Sequence, residues 1–250
     1  MTIHVRHHDG VAVLTLDRPE RRNALDEAHC EELARLIQEV TAQGARAIVL
    51  AGAGPHFCAG ADLTGLEDVS FATVLAAALD ALVTTPAPTI AAVQGAALGA
   101  GMQLAIACDL RVAEVTARFG IPAAKLGLMV DHWTMQRLAL TAGYSPARAM
   151  LLAAEELDGE AAHRIGFVQR LAASPASAQE SAESWATRIA TLAPLTIAGH
   201  KLGLNALEQS LRVDTDEQVQ AAFDRAWSSA DLVEGMAARN EGRPPAFRGT

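Results

Sequence analysis

The stretch APTIAAVQGAALGAGMQLAIACDLRVA, residues 87–113, decides how the chain is read. It opens on a short apolar run, Thr89 to Val93, bounded by Pro88 and by Gln94-Gly95, as a buried strand should be. Gly95, Gly99 and Gly101 make a small-residue turn, an apolar helical segment follows, and Leu110 to Ala113 reads as a further strand. Strand, turn, helix and strand in that order describe a parallel crossover. No Asp, Glu, Lys or Arg falls between Asp80 and Asp109, a length that could span a bilayer. Pro86, Pro88, Gln94 and the glycines divide it into separate elements, so no membrane span is expected.

The same grammar extends in both directions. Upstream, Ala47 to Leu50 is an apolar run ended by Ala51-Gly52-Ala53-Gly54-Pro55, with a helical stretch from Phe71 to Leu82 after it. The chain begins with alternating Ile3, Val5, Val11, Val13 and Leu16 around Asp9-Gly10, a hairpin signal. Leu25 and Asp26 supply a staple and N-cap for a helix whose Leu33, Leu36, Ile37 and Val40 share one face. Downstream of Trp133 helix dominates, with starts at Ser145-Pro146 and Asp158-Gly159 and long segments at 178–189, 194–207 and 209–227. Only Phe167 to Leu171 reads as a strand there, and Gly242 to Pro245 reads as an extended tail. The fold class is α/β with a helical C-terminal part.

Composition narrows the chemistry. With 250 residues, half of them hydrophobic, the chain can bury a large core. A net charge of −9, with lysine only at Lys125 and Lys201, argues against nucleic acid as a partner. Cys30, Cys58 and Cys108 are odd in number and lack metal-ligand spacing, which suits free thiols in a reducing cytoplasm. The N-terminus has no signal-peptide core. Nucleophile-elbow, zinc-protease, P-loop and dinucleotide motifs do not occur, so neither a metal site nor a tightly bound cofactor is expected.

Two Gly-rich turns carry the remaining signal: HFCAGADL, residues 56–63, and GAALGAGMQLAIACD, residues 95–109. Small residues let a backbone approach a ligand closely, and amides at a helix start favour negative charge. Two such amides aimed at one oxygen would form an oxyanion hole. Tight packing turns use the same residues, and composition leaves both readings open.

LDRPERRNAL (16–25), AIVLAGAGPHFCAGADL (47–63), residues 87–113, FGIPAAKLGL (119–128), LAPLTIAGHK (192–201) and GRPPAF (242–247) together resemble the crotonase, or enoyl-CoA hydratase/isomerase, family. The resemblance implies a spiral of ββα turns over residues 1–190 and a C-terminal helical trimerisation region over 191–250. It implies an acyl-CoA or enoyl-CoA ligand, coenzyme A being part of that ligand, and a homotrimer or homohexamer that covers apolar positions such as Leu195, Ile197, Leu202, Leu204 and Leu207. The oxyanion amides map to Ala61 and Ala100. Coenzyme A runs beside Ala24, Leu25, Ala59, Asp62 and Leu63, with Arg22 at its phosphates, and Gln103 and Pro122 border the pocket.

The chain departs from the family where a hydratase carries its two glutamates. Gln103 stands at the first position and Ala123 at the second. An amide does not accept a proton near neutral pH, and alanine has no group to do so. The resemblance therefore implies a thioester pocket without ordinary hydration. Asp131, eight positions beyond Ala123, falls where dienoyl-CoA isomerases and chlorobenzoyl-CoA dehalogenases of this superfamily carry a functional aspartate. It also precedes Trp133 to Leu140 as an N-cap would. Cys58 reads as a buried thiol, His56 as a loop residue or phosphate contact, His7 and His8 as strand surface, and His132 as a neighbour able to support Asp131. Positions where some hydratases place CoA-binding lysines hold Pro55 and Thr64.

Overall fold

A computed structural model describes residues 2–62, 70–211 and 217–250. The chain forms two compact units, residues 1–119 with 157–210, and residues 120–156 with 211–250.

The first unit begins with strands β1 (Thr2–His8) and β2 (Val11–Asp17), paired antiparallel from Thr2↔Asp17 to His8↔Val11. Asp9 and Gly10 turn between them with φ of 47° and 77°, the positive values that a two-residue hairpin loop demands. Helix α1 (Glu27–Ala42) starts at Asp26, whose side chain accepts from His29 N at 3.0 Å. Strand β3 (Ala47–Gly52), helix α2 (Ser70–Thr84), strands β4 (Thr89–Val93) and β5 (Ala96–Leu98), helix α3 (Ala100–Ala107) and strands β6 (Leu110–Glu114) and β7 (Arg118–Gly120) follow. Helices α4 (His132–Ala142) and α5 (Tyr144–Ala153) belong to the second unit. Strand β8 (Glu156–Asp158), helix α6 (Gly159–Arg164), strand β9 (Arg170–Ala172) and helices α7 (Pro175–Ala190) and α8 (Pro194–Ser210) complete the first.

Among the described residues six strands form one sheet in the order β1-β2-β3-β4-β6-β9, parallel from β2 onward, and β5-β7-β8 form a smaller one. Strands β4 and β5 give one strand to each sheet and α3 follows them, the ββα step that the resemblance implies, and β6 and β7 again give one strand to each sheet. Every residue of β3 and β4 is buried, because helices cover both faces of a parallel sheet. On one face Ala178, Ala182 and Ala186 of α7 pack over Val13, Val49, Ile90 and Val112, small side chains that let the helix lie close to the strands. Helix α8 is fastened by Lys201, whose Nζ donates to Leu82 O (3.0 Å), Ala87 O (3.2 Å) and Asp109 Oδ2 (2.7 Å).

In the second unit Asp131 caps α4, and helices α9 (Glu217–Trp227) and α10 (Ala230–Glu241) lead into the tail. Trp227 Nε1 donates to Met129 O at 2.8 Å. The Asp231 carboxylate accepts from Arg248 N and Gly249 N, so the extended tail is tied down.

Three readings of the sequence need adjustment. The strand expected over 167–171 lies at Arg170–Ala172, because Phe167 and Val168 fill the interior ahead of it. Strand β8 was not anticipated. Of the helix expected over 209–227, Glu217–Trp227 forms α9 and Ser210 ends α8, while residues 212–216 lie outside the described residues.

Candidate functional site

The two Gly-rich turns leave the C-terminal ends of β3 and β4, neighbours in the sheet, and so arrive together. A bridge between Cys58 and Ala97 joins them, with Cys58 N donating to Ala96 O (2.9 Å) and Leu98 N to Cys58 O (3.1 Å). Gly60 has φ of 118°, and a Cβ there would lie 3.1 Å from Leu98 O and 3.8 Å from Ala100 N. The turns therefore stand about a methyl group apart. Gly101 is needed for the same approach, since a Cβ on it would sit 2.1 Å from Cys58 O.

The segment carrying Arg22, Ala24 and Leu25 lies against the first turn. Ala59 N donates to Arg22 O (3.0 Å), Leu25 N to Gly60 O (2.9 Å) and Asp62 N to Leu25 O (2.6 Å). In this parallel bridge the partners of Leu25 are Gly60 O and Asp62 N, so the Ala61 amide is directed elsewhere. Ala100 is the first residue of α3 and its amide has no intrahelical acceptor. Among the described residues neither amide donates to a protein group.

The structure thus brings Arg22, Ala24, Leu25, Ala59, Ala61, Asp62 and Ala100 into one region of the first unit. Leu25 is buried, Ala24, Ala59 and Ala61 are half-buried, and Arg22 is exposed in a left-handed conformation. The Asp62 carboxylate is held by Arg18 at 2.8 Å. Gln103 lies on the first turn of α3 and is buried, its N–H donating to Gly99 O at 3.0 Å. Leu63 and Thr64 lie outside the described residues.

Pro122, Ala123 and Asp131 belong to the second unit. Pro122 opens a 3-10 turn, Pro122–Leu126, that contains Ala123. Asp131 Oδ1 accepts from Thr134 N at 2.7 Å, the N-cap role that its place in the sequence allowed. It also borders a cavity of about 50 Å³ with Met129, His132, Met135, Val219 and Phe223. His132 contacts Gln136, its neighbour one helical turn along, through Nε2.

The thiol of Cys58 donates to Gly60 O at 3.7 Å, and burial pushes it up to about 12, so it stays protonated as a packing group. Burial raises Cys30 and Cys108 similarly. His7 and His8 lie on β1, where His8 Nε2 is 3.3 Å from a Glu183 oxygen. No group of three His, Cys, Asp or Glu among the described residues could hold a metal ion. No helix among them is long and apolar enough to cross a membrane.

Sequence reasoning missed the residues that hold the turns: Arg18, Asn23, Gln94 and Glu114. Glu114 Oε1 accepts from Gly95 N (2.6 Å), and His56 Nδ1 accepts from Ala96 N (3.2 Å). The second bond requires neutral His56, and burial, then Arg22 and Arg118, lower its pKa from 6.5. The unfolded chain therefore binds more protons than the folded one as pH falls below 6.5, and folding stability declines through that window. Asn places an acceptor near the Nδ1 position without titrating, so His56→Asn should flatten this part of the pH profile. Urea midpoints of both proteins at pH 8 and 5 test it, and parallel declines would discard the role of His56.

Comparison with known proteins extends this picture. The family model described as enoyl-CoA hydratase/isomerase matches residues 6–250. The "Probable enoyl-CoA hydratase echA6" of Mycobacterium tuberculosis is 41% identical over 251 residues, covering 99% of each chain. Among solved structures, an enoyl-CoA hydratase/isomerase from Pseudoalteromonas atlantica superposes with a TM-score of 0.86 at 28% identity, covering 99% of this chain and 100% of that one. Methylmalonyl-CoA decarboxylase shares the fold, with a TM-score of 0.92 at 24% identity, covering 100% and 99%.

Proposed function

Because the chain belongs to the enoyl-CoA hydratase/isomerase family, we propose that it binds fatty acyl thioesters of coenzyme A in cytoplasmic lipid metabolism and has lost hydratase chemistry. One observation carries this reading. The Ala61 and Ala100 amides stand on adjoining turns without a protein acceptor among the described residues, while the positions that would carry both acid–base glutamates are Gln103 and Ala123. Two donors aimed at a thioester oxygen polarise and hold the carbonyl. Without a proton acceptor beside it, a held thioester is bound and not hydrated. Arg22 is the candidate for the CoA phosphates, Ala24, Leu25, Ala59, Asp62 and Leu63 border the nucleotide and pantetheine, and Gln103 is a further candidate contact of the ligand.

Assembly belongs to the same reading, with residues 191–250 as a trimerisation region and the chain as a homotrimer or homohexamer. Leu195, Leu202, Leu204 and Leu207 of α8 are 88%, 71%, 67% and 58% exposed, apolar surface that a neighbouring copy would cover. Isothermal titration with dodecanoyl-CoA, run beside light scattering on the same samples, should give saturable binding by an oligomer. No heat at high micromolar ligand would sink the reading, and the mass of one chain at every concentration would remove its assembly part.

A second reading rests on the place of Asp131 beside a cavity: a CoA-ester isomerase or related enzyme using that carboxylate. Turnover of enoyl- or dienoyl-CoA that disappears in Asp131→Asn would favour it over binding alone. Equal rates in both proteins would remove Asp131 from the chemistry.

A further inference from the structure

Against the Gly52 to His56 turn, which leads into the first Gly-rich turn, lie two carboxamides, Asn23 at 0% exposure and Gln94 at 5%. Asn23 sits in a left-handed conformation, φ 57°, that asparagine tolerates better than most residues. Its Oδ1 accepts from Arg18 N at 2.8 Å, and its Nδ2 donates to Ala53 O (2.9 Å) and His56 O (2.7 Å). Gln94 arrives from the other side at the end of β4 and donates through Nε2 to Gly52 O and to Gly54 O, the latter at 3.3 Å. Four carbonyls of the Gly52 to His56 turn are thereby drawn inward by two NH₂ groups, each with both hydrogens engaged. The Gln94 backbone oxygen also accepts from Phe57 N at 2.8 Å, so one residue holds both ends of that turn. Gln94 Oε1 is buried without a partner among the described residues, so the donor side of the amide sets its place.

We propose that Asn23 and Gln94 are positioning residues of the thioester site, which fix the Gly52 to His56 carbonyls and thereby set the Ala61 amide against the Ala100 amide. The inference rests on the acyl-CoA reading and deepens it. Turn carbonyls pinned on one side leave the following peptide planes little freedom, and the chain reaches Ala61 only five residues beyond His56. Both amides must point at the same oxygen for the carbonyl to be polarised. Nothing in this arrangement makes either carboxamide touch the ligand.

Asn23→Gly removes the carboxamide while permitting the left-handed backbone, and Gln94→Met keeps the bulk while removing the donors. Each should weaken dodecanoyl-CoA binding by at least about tenfold, the scale of a sub-ångström misplacement. In infrared spectra of bound dodecanoyl-CoA labelled with carbon-13 at the thioester carbonyl, the carbonyl band should return toward its free-solution position. Leu33→Ala in α1, a buried change remote in sequence from both turns, supplies a destabilised control whose affinity and band should match wild type. Should Asn23→Gly fail to fold, Asn23→Ser, with a short hydroxyl in its place, serves as the second variant. Unchanged affinity and band in the folded variants would overturn the positioning role while leaving the binding reading intact. An equal loss in Leu33→Ala would overturn it too, as general destabilisation. A wild-type protein that fails to bind dodecanoyl-CoA would overturn both.

Discussion

Crotonyl-CoA should be hydrated at least about 10⁴-fold more slowly by this protein than by a family hydratase with both glutamates, because on the proposed reading two acid–base contributions of about 10² to 10⁴ each are missing. The residues at those positions make the expectation specific. Gln103 can hold a water molecule by hydrogen bonds but cannot take its proton, and Ala123 offers no polar side-chain atom. Restoring one group alone leaves the other half of the proton transfer unserved, so Gln103→Glu or Ala123→Glu should each recover little. The double variant should gain more than the product of the single gains, as groups acting on one transition state do. Gln103 is buried, so a glutamate there would be held partly protonated by desolvation, and the recovered rate should rise with pH above neutrality. Spectrophotometric loss of the enoyl thioester band measures all four proteins. A wild-type rate comparable with family hydratases would defeat the proposed loss of chemistry.

The second large effect concerns stability. Lys201→Met should lower unfolding free energy by about 3–5 kcal/mol, the cost of breaking a buried pair from one side. The lysine side chain is 7% exposed and its Asp109 partner 23%, so water replaces little of what is lost. Methionine keeps the stem but leaves Leu82 O, Ala87 O and the carboxylate without the ammonium. The Asp109 carboxylate would keep only its bonds from Thr89 N and Thr89 Oγ1 at the start of β4, both to Oδ2. Urea unfolding at matched protein concentration gives the measurement. A loss below about 1 kcal/mol, the range of a surface ion pair, would show that the interaction is replaced by solvent.

Elements with a local chemical cause were legible in the sequence. Asp9-Gly10 between alternating strands, Asp26 before α1, and the apolar runs of β3 and β4 each carry a local cause that needs no tertiary information. Strand β8 was not legible, because three residues are too few for a period. Of the site, the small residues of the two turns were visible through the family motif. The residues beneath them were not: Asn23 and Gln94 bond to backbone carbonyls 30 to 42 positions away, and a carbonyl partner imposes no residue type that a reader could find. Lys201, one of two lysines and set in an apolar helix, was the available clue to its pairing with Asp109.

The burial of Lys201 also gives the molecule a built-in reporter. Of its two lysines, Lys125 is exposed, whereas Lys201 has its ammonium engaged on three sides. A protease specific for lysyl bonds therefore meets one accessible side chain in the native protein and a second only when α8 lifts away from its seat. At protease concentrations where cleavage outpaces reclosing, cleavage after residue 201 timed against cleavage after residue 125 would read the opening rate of α8 without a probe having to be introduced.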